Sequence, residues 1–335
     1  MKKEHGPNMM ATLVWCTHRL HLLEAVWLHE NVVGFDPDFL TCALGCAYIV
    51  MTCVFDFHWM GFPVHRMRRL TVGIRRDLMV EIHCPLDQFL ESTRRMCECS
   101  WRGFLCATEA DLEDYHNWMS GRPSAVCNMS DSERLAAFET ECGLWPDGTA
   151  TPSDCMSVAA ETRYTFALIP SEIRRLFEYR IRARAKLDQS SNADATDWMV
   201  CLVGQEPGPH AQSSCSRVLN TIIRSSSIVW ADAQDLKRPI VGREQLAAQG
   251  FIVDARYSDN GILSSSFMID RPRKRMELGS QAGNSMPVPL MGAAILWSLL
   301  CIDMKRPVEL SSSLSKFLAM RHVLQQQSEN TRGRC

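Results

Sequence analysis

The chain has 335 residues, of which 46% are hydrophobic and 22% charged, with a formal net charge of −2. That length allows one large domain or two, each with a sizeable core. The near-neutral balance excludes a globally basic or acidic binder, so any nucleic-acid-contacting surface has to be local.

Fifteen cysteines at irregular spacing read as reduced thiols of an intracellular protein and not as a disulfide framework. The opening MKKEHGPNMMATLVWCTHRLH has no unbroken apolar core and no small-residue cleavage site, so no secretory signal is expected. Apolar residues at helical spacing predict a helix over 9–24. EAVWLHENV is a short apolar run followed by Gly34 and predicts a buried strand. DPDFLTCALG predicts a helix that opens on Asp36, with Pro37 at its first position and Gly45 just past its end. YIVMTCVFDF and RRLTVGI predict two further strands. The order helix–strand–helix–strand–strand suggests one half of an α/β sheet.

Residues 79–215 mix cysteine, charge and small polar residues, and their periodicity is weak. GLWPDGTATPSDC and GQEPGPHAQSSCS read as loops. Between them PSEIRRLFEYRIRARAKLD predicts a helix capped by Ser171, with Glu172 in its first turn. MCECSWRGFLC brings Cys97, Cys99 and Cys106 close in sequence, but it lacks a second paired unit at zinc spacing, so no metal is expected. From 216 the pattern becomes regular again. IVGREQLAAQGF predicts a short helix ending at Gly250. The basic run RPRKR (271–275) leads through a Gly-Asn-Ser turn into an apolar helix, and the Ser- and Gln-rich tail after 311 is expected to fray. The longest apolar runs, LTCALGCAYIVMTCVF and MPVPLMGAAILWSLLCI, fall short of the roughly 20 residues of a membrane span, so no membrane segment is expected. The expected divisions are 1–78, 79–215, 216–310 and a tail over 311–335.

Four short signals stand in one order: ENVVGF at 30–35, GFPVHRMRRLTVG at 61–73, GREQLAAQGF at 242–251 and GNSMPVPL at 283–290. Singly, each has a plain reading. Glu30-Asn31 is a strand-end turn, Arg66, Arg68 and Arg69 form a solvated face, REQLAAQGF is an amphipathic helix, and GNS is a helix-opening turn. Taken together, the order resembles the C-terminal two-thirds of the DNA (cytosine-5)-methyltransferases. In that family a Glu-Asn-Val strand end precedes a Gly-x-Pro-Gln-x-Arg-x-Arg segment. A variable target-recognition region, an Arg-Glu…Gln-Gly-Phe helix and a Gly-Asn-Ser-Val-Pro turn follow. The resemblance covers about 9–80 and 216–305.

The resemblance implies an α/β fold: part of an S-adenosylmethionine-dependent methyltransferase sheet, Rossmann-like, with an inserted target-recognition region. In the family a cysteine thiolate adds to carbon 6 of a cytosine flipped out of double-stranded DNA, and carbon 5 then takes the methyl of S-adenosylmethionine. An acid that hydrogen-bonds ring nitrogen 3 lowers that barrier, and the match gives the role to Glu30. Arg66 and Arg68 match the Arg-x-Arg pair that serves the exocyclic oxygen and its supporting network. Asn284 and Ser285 match the turn that closes the cofactor pocket.

The chain departs from the family in three places. None of its cysteines follows a proline, so the nucleophile's Pro-Cys-Gln motif is absent, as is the Phe-x-Gly-x-Gly cofactor loop, and Val64 stands where the family has Gln. These 335 residues are therefore expected to have little or no activity alone, to need a second chain supplying the absent half, and to expose a sheet edge and an apolar face. The alternatives are a non-catalytic partner that binds DNA or completes another chain's sheet, and a relative of RNA cytosine methyltransferases. Arg174, Arg175 and Arg182 on the arginine-rich helix, and Lys274 in RPRKR, are the candidate phosphate contacts. The plain alternative is a charged helix partnered by Glu172 and Glu178. RPRKR also has the composition of a nuclear signal.

Overall fold

A computed structural model describes residues 7–98, 100–144, 150–160, 167–189, 198–206, 213–214, 218–222, 228–232, 236–251, 279 and 282–305. In chain order the elements are α1 (Pro7–Leu22), β1 (Val26–Asn31), α2 (Asp38–Leu44), β2 (Tyr48–Asp56), β3 (Met67–Arg75), β4 (Met79–Ile82), α3 (Leu86–Ser92), α4 (Glu109–Ser120), α5 (Asp131–Gly143), α6 (Pro152–Ala160) and α7 (Pro170–Gln189). They continue as β5 (Trp198–Leu202), β6 (Ser213–Ser214), β7 (Ile228–Asp232), β8 (Leu236–Pro239), α8 (Gly242–Ala247), α9 (Val288–Leu300) and β9 (Ile302–Met304). The protein is mixed α/β with small sheets. The chain divides into two compact units, one from 1–55, 68–93 and 292–335, the other from 56–67 and 94–291.

In the first unit the strand order is β1-β3-β2. β1 runs antiparallel to β3, with Val26 opposite Ile74 and Asn31 opposite Arg69. As the middle strand, β3 is buried on both faces: Leu70, Thr71, Val72 and Ile74 are all inaccessible. Gly73 is dictated by its register partner. A Cβ there would lie 2.0 Å from Cε2 of Trp27, so only hydrogen leaves room for the indole. That indole joins Cys16, Leu40, Leu44 and Tyr48 in a core, with Trp15 edge-on at 5.3 Å. α2 begins at Asp38, one residue later than the sequence suggests, because the Asp36 carboxylate accepts the Asp38 N–H at 3.0 Å. A second ladder pairs β4 with β9, and the Trp297 indole N–H donates to Cys84 O at 2.8 Å. Apolar side chains stay exposed on α1 (Met10, Leu13, Val14) and on α9 (Ile295, Leu296, Leu299, Leu300).

In the second unit α5, α6 and α7 pack around Phe138, Cys155, Val158, Leu176 and Tyr179. An antiparallel sheet of order β6-β5-β7-β8 carries Val200, Leu202 and Ile228 into another core, which also takes Phe57, Val64, Trp101, Leu219, Ile222, Ile240, Leu246 and Ala282. That shared core corrects the expected division at 216. Residues on both sides of it bury one set of side chains, so 216–291 groups with the preceding segment and with 56–67, while 292 onward groups with the rest of 1–78.

The weakly periodic region holds α3 to α6, which the sequence reading did not separate. The start signals were present as two capping boxes, Thr108 with Asp111 and Ser130 with Glu133. The expected cap at Ser171 is corrected as well. α7 starts at Pro170, and the Glu172 carboxylate reaches back to the Ile169 N–H at 3.1 Å. RPRKR and the tail after 311 lie outside the described residues. Among the described residues no helix is long and apolar enough to cross a membrane.

Candidate functional site

Two of the four sequence signals meet at Arg66 in the second unit, and a third joins the same turn through Gln249. The Arg66 guanidinium is buried and donates to three carbonyls from distant parts of the chain: Ile222 O at 2.7 Å through Nη1, and Gly283 O at 3.1 Å and Ser285 O at 2.6 Å through Nη2. A flat, permanently charged fork can hold several acceptors at once, which a point-like ammonium cannot. The turn it holds is fixed a second time by Gln249, wholly buried just past α8. Gln249 Nε2 donates to Ala282 O at 2.5 Å, its Oε1 accepts from Ser285 Oγ at 2.9 Å, and its carbonyl accepts the Val288 N–H at 3.2 Å. Gly250 follows with φ +83°, and a Cβ there would lie 2.7 Å from Pro289 Cδ. The Gln-Gly pair and the Gly-Asn-Ser turn are thus parts of one interlocked structure. At the other end of α8, buried Glu244 accepts from the N–H groups of Ala107 and Val241 and from both Nη atoms of Arg238.

Ser285 is accordingly built into this turn, whereas Asn284 is exposed beside it. Val64 is wholly buried and packs with Leu219 and Ile222 as part of the core.

The first unit holds the other pair. Glu30 lies on β1 and Arg68 on β3, one diagonal step apart across the ladder. Arg68 Nε stands 2.6 Å from Glu30 Oε1, with both side chains largely buried. Neighbouring Arg69 donates to Val33 O at 2.9 Å and so ties the turn after β1 to β3. Asn31 closes the strand by accepting the Val32 N–H at 2.8 Å. On the opposite face of β1, His29 lies between Trp15 and Phe35, and burial lowers its pKa, favouring the neutral ring. The solvated-face reading of these arginines is therefore corrected: Arg66 and Arg68 are buried and engaged.

The arginines of α7 are engaged differently. Arg174 is buried among carboxylates, with Nη1 on Glu178 and Nη2 on Glu206, each at 2.9 Å. Arg175 binds the same Glu206 at 2.6 Å and also Val203 O. Burial opposes ionisation of Glu206, yet the two guanidiniums hold its carboxyl below the usual range. Burial pushes Glu178 up despite Arg174, and Arg182 adds a further positive charge facing Glu178. The proposed phosphate-contacting role of Arg174 and Arg175 is corrected accordingly, because their charge is already matched inside the unit. Lys274 lies outside the described residues.

An attacking thiol would need its pKa pulled down. Burial instead pushes up the thiols of Cys16, Cys142, Cys155 and Cys301, and that of Cys53 to about 12. Among the described residues, no three His, Cys, Asp or Glu side chains gather as a metal site. The sequence reading had Glu244 and Gln249 within the 242–251 signal but gave them no role, since their burial is invisible in an amphipathic pattern, and it missed Asp56, which ends β2 next to the Arg66 loop. Comparison with models of known protein families gave no match, and neither did comparison with curated proteins.

Proposed function

We propose that this chain carries the base-contacting and cofactor-closing part of a DNA (cytosine-5)-methyltransferase-like protein, with S-adenosylmethionine as methyl donor and double-stranded DNA as substrate. The observation that carries the reading is the pair of arginine-centred clusters. Within the second unit Arg66 holds Gly283 and Ser285, and Gln249 of the third motif holds the same turn; within the first unit Arg68 holds Glu30. A chance arrangement of strand end, charged face, helix and turn has no reason to place the two arginines of one Arg-x-Arg segment on the other motifs.

In this reading Glu30 takes up a proton as the flipped cytosine docks and donates its O–H to ring nitrogen 3, while Arg68, on Oε1, orients that carboxyl. Arg66 shapes the turn that closes over the cofactor. The sheet is then the C-terminal part of a methyltransferase sheet, and the second unit contributes the target-recognition region. The attacking thiolate is supplied by a second chain, so the chain by itself binds without turning over. The non-catalytic DNA-binding reading shares this binding step and differs only in never acquiring the thiol.

Base flipping is less costly where the base is already unpaired. The test is a salt-series titration of duplexes in which one cytosine faces an abasic site, against the fully paired duplex. Tighter binding to the unpaired cytosine supports the reading. Equal binding to both, or none at low salt, refutes it.

A further inference from the structure

The loop that delivers Arg66 is closed by a buried carboxylate. Asp56 Oδ1 accepts the main-chain N–H groups of Arg66 at 2.8 Å and His58 at 3.1 Å, and Oδ2 accepts from Nδ1 of His65 at 2.9 Å. The His58 ring stands 4.7 Å from that of His65, with its own Nδ1 on Phe62 O at 2.8 Å. From the other side residues 218–222 bind the main chain of His65, through Leu219 O at 2.8 Å and Thr221 Oγ1 at 2.9 Å, and contribute no titratable side chain. Among the described residues the titratable groups facing His65 are Asp56 and His58. Half of the imidazole is exposed, so it exchanges protons with water.

We propose that Asp56 and His65 form a positioning dyad that makes the Arg66 clamp on the Gly-Asn-Ser turn depend on pH, tightest while Asp56 is ionised and His65 protonated. One oxygen of the carboxylate fixes the Arg66 main chain and the other is held by the imidazole, so the charge on His65 is transmitted through Asp56 to the residue whose head group binds Gly283 and Ser285. The hydrogen bond to Asp56 raises the His65 pKa, so this support is fully present below the ordinary histidine range and is lost as pH rises through the raised value. Burial opposes ionisation of Asp56, but the bonds from His65, Arg66 and His58 hold its pKa low, so its support is lost only as pH falls through that low value. On the alkaline side neutral His65 still donates Nδ1–H, at roughly half the strength of the charged donor.

The functional meaning rests on the cofactor-pocket reading above, but the dyad is tested on the turn itself. The experiment is hydrogen–deuterium exchange of the full chain from about pH 5.5 to about pH 8.5, the range over which histidines titrate, corrected for the intrinsic rate. Protection of 282–288 should fall roughly three- to tenfold across that range, an effect the size of one hydrogen bond. His65→Asn keeps a donor near the Nδ1 position without a charge and should give intermediate protection that does not change with pH. His65→Ala should give low, unchanging protection. Wild-type pH dependence surviving in His65→Asn would assign the titration to a group other than His65 and overturn the proposal. A pH-independent wild type would leave the dyad a purely structural role and overturn it equally. Neither S-adenosylmethionine nor DNA enters the measurement, so its outcome is independent of whether the methyltransferase reading holds.

Discussion

Replacing Arg66 by Met keeps most of the side-chain volume and removes the fork. Three carbonyl oxygens then lose a charged donor at 2.6–3.1 Å in a region without ready access to water. A hydrogen bond to a charged group contributes about 1.5–3 kcal/mol. Three contributions from one side chain do not simply add, so the expected loss is roughly 3–5 kcal/mol, a large share of the about 5–15 kcal/mol that holds a typical protein folded. Arg66→Lys should lose roughly half as much, because a single ammonium reaches only some of the three acceptors. Trp101 shares the core that contains Phe57, Val64 and Ile222, so its contribution to the fluorescence of a urea titration, isolated by comparison with Trp101→Phe, reads the relevant unit. If Arg66→Met stays within about 1 kcal/mol of wild type, the range of an ordinary surface change, the clamp does not organise this unit.

Gly73→Ala should push the Trp27 indole out of its place over β3, with a loss of roughly 1–3 kcal/mol and a red-shifted tryptophan emission; an unchanged spectrum would contradict the register of β1 on β3. Arg175→Ala should leave the salt slope of any DNA binding unchanged, since its charge is spent on Glu206, whereas a slope lowered by about 1 would mark it as a phosphate contact. Arg174→Ala leaves Glu178 buried without that ion pair and should destabilise the helical part of the second unit by roughly 3–5 kcal/mol, measured by the circular dichroism melt. A melt like that of wild type would show the network to be dispensable.

The sequence made the first unit largely readable because its signals are local. The alternation in RRLTVGI marks a strand, and a Gly-Phe turn after HENV marks its neighbour's end. The insertion of β3 between β1 and β2, antiparallel to β1, was not readable, since strand order depends on pairing across the chain and leaves no trace in periodicity. The second unit was harder. Its helices carry mixed faces, and their capping boxes at Thr108 and Ser130 were the clearest marks available. At the candidate site, residue order pointed to Glu30, Arg66, Arg68 and Ser285 but could not show which touch. That Arg66 works as a scaffold for three carbonyls, while Arg174 is consumed by carboxylates, depends on burial, and both look like ordinary helix or strand charges in one dimension. Asp56 and His65 escaped notice because the ten-residue loop between β2 and β3 hides their closeness.

The most direct measurement is base discrimination at Glu30. Cytosine offers an acceptor at ring nitrogen 3 for the O–H of protonated Glu30, where thymine carries a hydrogen that this donor cannot meet. Duplexes with an unpaired cytosine or an unpaired thymine opposite an abasic site should therefore differ in affinity by roughly tenfold in favour of cytosine, about 1.4 kcal/mol. Glu30→Ala should erase that difference while leaving the salt slope alone. Equal affinity for the two bases in the wild-type chain, or a preference that survives Glu30→Ala, would contradict the assignment of Glu30 to a flipped cytosine.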